Sequence, residues 1–368
     1  MKKVNFNQMK TKIAIIYGGK SAEHEISIRS ANNVIQNIDQ DRFAFVLIKI
    51  NKRGEWLTDK EMIENNNFST VIELMDFSPK NKVLFNPGRS NQFIIESEDS
   101  LGFSVDAVFP VLHGPNGEDG AIQGLFKILS LPFVGSGILG SAVGMDKEIM
   151  KRILSEADIK IGKYLVARND RFPDYHEVRN KLGLPVYVKP ANMGSSVGIS
   201  KVYTENEYLE AIRLAFQFDR KLVIEANIEG REIECAILGN ETPKASQPGE
   251  IIAAQDFYDY KSKYLDDNAS ELVVNANLPN STKEELQEIA ISTFKALECE
   301  GMSRVDFFVT KDNEVIVNEI NTIPGFTSIS MYPKLWLESG ISYKELITNL
   351  IDLAFERFEK EQKLKTSI

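Results

Sequence analysis

Cysteine and histidine are scarce in this sequence. The chain has 368 residues, with two cysteines, Cys235 and Cys299, and three histidines. The two cysteines lie far apart and lack the short spacing of a thiolate metal site, which excludes a disulfide-rich scaffold and makes a reducing compartment the default. A basic start is followed by no long apolar segment, so we expect no secretory signal.

A surplus of basic residues is also missing. Lysine and arginine number 43 against 53 aspartates and glutamates, which gives a formal net charge of −10. A nucleic-acid-binding protein more often has a positive balance, so we expect no nucleic-acid partner. Local clusters of lysine and arginine could still bind phosphate groups.

Ile128–Met145 is an uncharged stretch that is long enough to span a membrane. This stretch contains Pro132 and four glycines. We interpret it as a strand, a turn and the start of a helix, and we expect no membrane segment.

The first part of the chain has the pattern of a parallel α/β domain. Strands are predicted over Thr11–Tyr17 and Phe43–Ile50, with a helix over Ser27–Ile38 between them. The glycines after the first strand do not form a P-loop, because that motif needs a glycine at position 14, where the chain has alanine. Residues 56–101 are polar and irregular, and we interpret them as a peripheral insertion.

A loop rich in glycine and polar groups begins at His113. It follows a predicted buried strand, Val105–Leu112. Open parallel sheets bind ligands beyond the carboxyl ends of their strands, so His113 is a candidate ligand contact. The stretch Gly135–Gly140 fits G-x-G-x-x-G, with Glu156 as the acidic partner, and supports a dinucleotide-dependent oxidoreductase as an alternative.

Glycine and serine form the tip of a predicted hairpin at Gly194–Gly198. The strands Val186–Lys189 and Ile199–Tyr203 flank it. Backbone N–H groups and hydroxyls at such a tip can bind phosphate oxygens and cover them as a lid. Lys189, within apolar strand sequence, favours phosphate binding over an ordinary turn.

Two glutamates follow in the next segment. Glu225 lies at the end of the predicted strand Lys221–Ala226, and Glu232 lies seven residues further on. Such carboxylates could accept hydrogen bonds from an adenine amino group and from ribose hydroxyls.

A helix from Met145 to Ala157 has Lys147 near its start.

Polar side chains interrupt a predicted apolar hairpin within residues 301–327. Because strand side chains alternate between faces, Arg304 lies on one face with Asp306, and Glu319 lies on one face with Asn321. If the strands pair, these four side chains meet. Oxygen ligands of this kind suit Mg²⁺. A solvated hairpin face is the alternative, but a charge in apolar sequence is costly unless it is paired or metal-bound.

Residues 250–275, which lie between Glu232 and this hairpin in the chain, are predicted as a long loop. It contains the aromatic and charged run DFYDYKSKY. Long loops within compact domains are usually functional. Helices are predicted on its C-terminal side, over Thr282–Glu298 and Ser342–Glu361.

Six motifs in this order make the chain from Lys12 onward similar to ATP-grasp enzymes, and specifically to D-alanine–D-alanine ligases. They are GGKSAEHEIS (18–27), HGPNGEDG (113–120), GSGILGSAVGMDK (135–147), VKPANMGSSVGIS (188–200), FYDYKSKY (257–264) and RVDFF with NEINTIPGFTSIS (304–330). Any one of these motifs would be weak evidence, whereas six in order are specific.

The resemblance implies an α/β fold with three domains, α+β in its ATP-binding part. Residues 1–134 would form an N-terminal parallel α/β domain with the insertion around 56–101. Residues 135–226 would form the central ATP-grasp subdomain with the phosphate lid. Residues 227–368 would form the C-terminal subdomain with the metal site and a mobile loop at 250–275, and ATP would lie between the last two.

The resemblance also implies ATP as a substrate, two Mg²⁺ (or Mn²⁺) ions as cofactors, and roles for individual residues. Catalytic roles fall to Glu23, Ser195, Tyr264 and Arg304. Substrate-binding roles fall to Glu23, His113, Lys263, Gly325 and Ser330. ATP-binding roles fall to Lys147, Lys189, Ser195, Ser196, Val197, Glu225, Glu232 and Lys263. Metal-binding roles fall to Asp306, Glu319 and Asn321.

The implied activity is the ATP-dependent joining of two D-alanines through a D-alanyl phosphate, for peptidoglycan precursors, in a cytoplasmic homodimer. Two other hypotheses are a regulatory nucleotide-binding protein and the oxidoreductase. The regulator would not need Arg304, Lys263, Tyr264 and the metal-binding residues together. The oxidoreductase leaves the hairpin and the lid without a purpose. Tyr264 accompanies dipeptide formation in the resembling ligases, which favours D-alanine as the second substrate.

Overall fold

The computed structural model describes residues 10–64, 73–90, 92–97, 99–169, 171–253 and 270–365. Its strands form three sheets, which follow one another along the chain. Among the described residues, no helix is both long enough and apolar enough to cross a membrane.

The first sheet is built by the N-terminal part of the chain. Its elements are β1 (Thr11–Gly18), α1 (His24–Asn37), β2 (Phe43–Ile50), β3 (Trp56–Thr58), α2 (Lys60–Glu64), β4 (Asn81–Phe85), β5 (Phe93–Ile95), β6 (Gly102–Phe103), β7 (Ala107–Val111) and α3 (Ala121–Ile128). The strand order is β6-β5-β4-β3-β2-β1-β7, and β1 pairs in parallel with both β2 and β7. The predicted strands and helix of this region are confirmed.

The interpretation of residues 56–101 as irregular is wrong for the part that the structure describes. Strands β3 to β6 extend the sheet in antiparallel pairs beyond β2. Phe93 is fully buried and stacks on Phe103 with ring centroids 5.3 Å apart. These strands are two to five residues long, too short for a period of two to stand out among polar residues.

The second sheet is antiparallel and belongs to the middle of the chain. The elements here are α4 (Ile138–Met145), α5 (Lys147–Glu156), β8 (Tyr164–Arg168), α6 (Tyr175–Leu182), β9 (Val186–Pro190), β10 (Ser200–Val202), α7 (Glu205–Ala215) and β11 (Lys221–Ala226). The strand order is β10-β9-β11-β8. The predicted hairpin is β9 and β10, and its Gly194–Gly198 tip lies between them.

Gly140 has a packing role in this structure. It lies on α4, where a Cβ would come 2.5 Å from the backbone oxygen of Glu298. Only glycine permits this close approach of the helix to the C-terminal region. Gly140, the last glycine behind the dinucleotide interpretation, therefore has a structural explanation.

The third sheet is built by the C-terminal part. Its elements are β12 (Arg231–Gly239), β13 (Lys244–Ala245), β14 (Gly249–Ala253), β15 (Ser270–Val273), α8 (Asn280–Ala296), β16 (Gly301–Val309), β17 (Val315–Asn321), α9 (Met331–Glu338) and α10 (Tyr343–Gln362). The strand order is β15-β14-β12-β16-β17, with β13 on β12. Helices α9 and α10 share a hydrophobic core with the first sheet.

The predicted hairpin of residues 301–327 is confirmed. Strands β16 and β17 pair antiparallel, with Arg304 opposite Asn321 and Asp306 opposite Glu319. The register shifts between Asp306 and Phe307, as in a β-bulge. The hairpin therefore brings the four polar side chains to one patch of the sheet.

The structure describes the predicted loop 250–275 only at its two ends, and neither end is wholly irregular. Its ends belong to β14 and β15, which pair with each other in antiparallel fashion. Lys263 and Tyr264 lie outside the described residues, so their predicted roles stay predictions.

Candidate functional site

A cleft with a volume of about 310 Å³ lies between the second and third sheets. Helix α5, strands β9, β11, β12, β16 and β17, and the Gly194 turn supply its walls. The charged residues that line it are Lys147, Lys151, Lys189, Glu225, Glu232, Glu234, Asp306 and Glu319. Ser195 and Ser196 also line it. The cleft thus brings together most of the residues predicted to bind ATP and metal.

Glu225 lies between two lysines in the wall of the cleft. Its carboxylate is 3.0 Å from Lys151 Nζ and 2.5 Å from Lys189 Nζ, and all three side chains are largely buried. Burial by itself would raise the pKa of Glu225, but the charges of Lys151 and Lys189 outweigh it and hold this pKa at about 2. The cluster therefore places two ammonium groups and one carboxylate in the cleft.

The start of α5 positions Lys147. Its Nζ is 3.2 Å from Glu319 Oε2 and donates to the Met193 carbonyl at 3.0 Å. The Asp146 carboxylate caps the helix by accepting from two backbone N–H groups, and it is 2.6 Å from Lys221 Nζ. A capped and ion-paired helix start fixes the Lys147 backbone at the cleft.

The hairpin supplies carboxylates opposite this helix. Arg304 donates to both oxygens of Asp306 at 2.7 Å, and its Nε is also 3.0 Å from Glu234 Oε2. Arg304 and Glu234 are both buried. The arginine is therefore held from two sides within the sheet.

The residues predicted to bind metal fit a magnesium site of few protein ligands. Asp306 and Glu319 face each other across the strand pair. The buried Oδ1 of Asn321 has no hydrogen-bond partner among the described residues, and an orphaned oxygen of this kind is a suitable cation ligand. Within the described part of the chain, no three His, Cys, Asp or Glu residues cluster as a metal site, so phosphate oxygens and water would have to complete the coordination.

The Gly194–Gly198 turn reaches toward α1. Ser195 and Ser196 have φ angles of 51° and 59°, in the left-handed region that non-glycine residues seldom adopt. The Ser195 hydroxyl donates to Glu23 Oε1. Val197 belongs to the same turn, and its N–H donates to the Gly194 carbonyl at 3.2 Å. The turn therefore links the cleft to Glu23.

A second acidic cluster surrounds Glu23. Glu23 and Glu118 are both buried, and the Gly114 N–H donates to Glu118 Oε2 at 2.6 Å. A Cβ on Gly114 would lie 2.7 Å from Glu23 Oε2, so this backbone segment lies between the two carboxyls. Burial, and then the charge of Glu23, raise the pKa of Glu118 to about 8. This cluster suits a cationic group.

The turn after β17 lies against the same region. The Ser330 hydroxyl accepts from the Thr327 N–H at 3.0 Å and lies against Gly325. His113 is buried, with Nδ1 3.1 Å from the Ile323 carbonyl and Nε2 3.3 Å from Ser30 Oγ. The predicted substrate-binding residues Glu23, His113, Gly325 and Ser330 thus lie around one region beside the cleft.

Three residues of the site were not predicted from the sequence. Lys151 follows Lys147 by one helical turn, and this i, i+4 spacing on a helix facing the cleft was the available sign. Glu118 lies in the HGPNGEDG loop, yet the motif does not show which of its acidic residues is buried. Glu234 follows Glu232 by two residues along β12, and only the pairing of β12 with β16, which places Glu234 opposite Asp306 and beside Arg304, brings it into the site.

Comparisons with known proteins agree across nearly the whole chain. The family model described as D-ala D-ala ligase N-terminus matches residues 12–136, and the one described as D-ala D-ala ligase C-terminus matches residues 153–352. A D-alanine–D-alanine ligase of Oceanobacillus iheyensis is 47% identical over 362 residues, which cover 98% of this chain and 99% of that protein.

Several solved structures similar to this chain are also D-alanine–D-alanine ligases. The D-alanine–D-alanine ligase of Coxiella burnetii superposes with a TM-score of 0.83 at 37% identity, covering 96% of each chain. A Bacillus anthracis D-alanine–D-alanine ligase complexed with ATP superposes with a TM-score of 0.72 at 28% identity, covering 95% of this chain and 99% of that one. From the sequence, the fold and the cleft together, the chain belongs to the D-alanine–D-alanine ligase family.

Proposed function

We propose that this protein joins two D-alanines to D-alanyl-D-alanine with ATP, through a D-alanyl phosphate, to supply peptidoglycan precursors. The observation that carries the proposal is the contact between Ser195 and Glu23. It joins a lysine-rich cleft, suited to a triphosphate, to a carboxylate cluster suited to an ammonium group. A ligase of this kind needs both sites side by side.

The triphosphate would lie between the second and third sheets. Lys147 and Lys189 would contact its oxygens, and the turn with Ser195, Ser196 and Val197 would cover them. Glu225 and Glu232 would accept from adenine and ribose. The Bacillus anthracis relative, which was solved in complex with ATP, supports a nucleotide in this fold.

Asp306, Glu319 and Asn321 would hold two Mg²⁺ (or Mn²⁺) ions beside the phosphates. When bound, such ions neutralise charge on phosphate oxygens and orient them. The unpartnered Oδ1 of Asn321, among the described residues, supports this assignment.

In the first step, the carboxylate of one D-alanine attacks the γ-phosphate. Glu23 pairs with the ammonium group of this D-alanine and so sets the direction of its carboxylate. Lys147 and Lys189 reduce the repulsion between two anions, and the in-line approach follows from holding both substrates. ADP leaves, and the acyl phosphate remains under the lid, where water is excluded.

In the second step, the amine of the other D-alanine attacks the acyl carbon and phosphate leaves. Negative charge develops on the carbonyl oxygen, and Arg304 and the Gly325 N–H would stabilise it. The loss of one such donor typically lowers the rate by about 10²–10³-fold. Lys263 and Ser330 would hold the carboxylate of the second D-alanine, and Tyr264 would join Ser195 and Glu23 when the loop closes.

The remaining assignments follow from the family resemblance. We propose three domains, residues 1–134, 135–226 and 227–368, and the three successive sheets support this division. We also propose a cytoplasmic homodimer that pairs through the first domain, with D-alanine and ATP as small-molecule partners. Light scattering of the purified protein would measure the number of chains in the assembly.

The direct test supplies the protein with ATP, Mg²⁺ and D-alanine and measures phosphate and dipeptide. We expect one phosphate per dipeptide and none without D-alanine. Binding of ATP without D-alanine-dependent phosphate would favour a regulatory nucleotide-binding protein instead. Turnover of NADH or NADPH would favour the oxidoreductase.

A further inference from the structure

The turn that bears Gly325 is held on both sides by the first sheet and its helix. On one side the Phe326 N–H donates to Ser30 Oγ at 3.2 Å. On the other side His113 Nδ1 lies 3.1 Å from the Ile323 carbonyl. Ser30 Oγ and His113 Nε2 are themselves 3.3 Å apart, so the contacts close a ring around Gly325.

The direction of every hydrogen bond in this ring can be assigned. A carbonyl only accepts, so His113 Nδ1 must carry the proton that goes to Ile323. Burial lowers the pKa of His113, which favours the neutral ring and leaves Nε2 as an acceptor. The Ser30 hydroxyl must then donate to Nε2, and its lone pairs accept from the Phe326 N–H. These assignments give one consistent chain of hydrogen bonds, in which each buried group has a partner.

Phe326 is also fixed from a third direction. Its carbonyl accepts from Asn33 Nδ2 at 2.9 Å and from the Tyr343 hydroxyl at 2.6 Å. Its ring is buried and lies edge-on to Phe109 at 5.8 Å. The residue after Gly325 therefore cannot rotate without breaking several contacts, and the N–H of Gly325 lies between two anchored residues.

We propose that Ser30 and His113 are positioning residues, which hold the Ile323–Phe326 turn so that the Gly325 N–H faces the oxyanion of the second step. This rests on the proposed function, in which that N–H stabilises the oxyanion. It also changes the expected role of His113. Both ring nitrogens are used within the protein, so His113 acts through the turn and not as a substrate contact.

The test is Ser30→Ala, which removes the acceptor of the Phe326 N–H. Misplacement of the turn should lower kcat by about 10- to 100-fold, because small displacements of catalytic groups are costly. The KM values for ATP and D-alanine should stay within about twofold. The matched control is Ser246→Ala, since Ser246 is equally buried and also accepts a backbone N–H, from Ala236 at 3.0 Å. The control should keep the wild-type kcat.

His113→Asn and the double variant separate positioning from substrate contact. If the two side chains act in one chain, the double variant should lose little more than the worse single variant. The proposal would be overturned by two results together. His113→Asn would raise the KM for D-alanine more than tenfold, and the kcat losses of the two single variants would multiply in the double variant. His113 would then be a substrate contact.

Hydrogen exchange tests the same chain without turnover. In Ser30→Ala, the amide protons of residues 322–327 should exchange faster than in the wild type, and in Ser246→Ala they should not. Unchanged exchange in Ser30→Ala would contradict the positioning role. A wild-type protein without ligase activity would instead defeat the proposed function, while the exchange result still decides whether Ser30 holds the turn.

Discussion

We propose that the nucleotide binds at one end of the site, the nucleotide end, which is defined by Lys151, Lys189 and Glu225. There a buried carboxylate lies between two ammonium groups. At the proposed amino-acid end, defined by Glu23, His113 and Glu118, a buried carboxyl lies near a second carboxylate. The pKa of Glu225 is held at about 2, and that of Glu118 is raised to about 8. Burial acts in the same direction on both, so the neighbouring charges make the difference.

This contrast matches the ligands that each end would bind. Two lysines around one carboxylate leave a positive balance, which a triphosphate can use. The charge of Glu23 beside the buried Glu118 leaves a negative balance, which an ammonium group could use. In the proposed function, the fold would separate an anion site from a cation site, and the two would meet at the contact of Ser195 with Glu23.

The largest effect is expected where the nucleotide end meets the proposed metal site. Glu319→Gln removes a carboxylate that lies 3.2 Å from Lys147 and that would bind Mg²⁺. We expect kcat to fall by roughly 10³-fold, at the upper end for the loss of an electrostatic group in an active site, with little change in the midpoint of urea unfolding. Steady-state kinetics and urea titration measure the two quantities.

Glu314→Gln is the control for this change, because Glu314 lies in the partly exposed turn of the same hairpin and pairs with Lys160. It should retain wild-type activity. If Glu319→Gln unfolds the protein at lower urea and both variants lose activity equally, the role of Glu319 is structural.

A smaller effect is expected from Lys189→Met. Glu225 would keep Lys151 but lose one of its two charged partners, which should lower the free energy of unfolding by roughly 1.5–3 kcal/mol. The KM for ATP should rise about tenfold or more, since an ammonium group facing the phosphates is lost. Lys181→Met is the control, because Lys181 lies on exposed α6 and pairs only with Glu177 among the described residues. A normal KM for ATP in Lys189→Met would contradict the placement of phosphates at this end.

The smallest effect concerns the amino-acid end and depends on pH. The pKa of Glu118 is raised from 4.5 to about 8, so its contribution to stability is full below about pH 4.5 and is lost as the pH rises toward 8. Glu118→Gln cannot ionise. Its free energy of unfolding, relative to the wild type, should therefore be higher at pH 8 than at pH 5.

Urea titrations at the two pH values measure this difference, with the exposed Glu210→Gln as control. The free energy of unfolding of the control should differ from that of the wild type by the same amount at both pH values. An offset of Glu118→Gln that does not change with pH would mean that the carboxyl is not held in its neutral form.

The sequence predicted the C-terminal hairpin better than the N-terminal cluster, for a physical reason. Alternation along two adjacent strands is local, so the meeting of Asp306 with Glu319 followed from their positions. The environment of Glu118 depends on Glu23, which lies about ninety residues earlier in the chain, and no local pattern shows that proximity. The motifs GGKSAEHEIS and HGPNGEDG contain Glu23 and Glu118, but they do not show that both carboxyls are buried close together.

Lys151 illustrates a different limit. A helix with several lysines has the same pattern whether those lysines meet solvent or a buried carboxylate. Only the position of α5 beside β11 in the folded chain shows that Lys151 pairs with Glu225. The extension of the first sheet by β3 to β6 was missed because such short strands leave little periodicity to detect.

In the proposed reaction, a carboxylate held near Glu23 attacks a phosphate held near Lys147 and Lys189. Turnover with D-alanine labelled with ¹⁸O in its carboxylate tests this directly, by mass spectrometry of the phosphate that is released. We expect one labelled oxygen in each phosphate, because the acyl phosphate breaks at its acyl carbon. Dipeptide formation with unlabelled phosphate would contradict it.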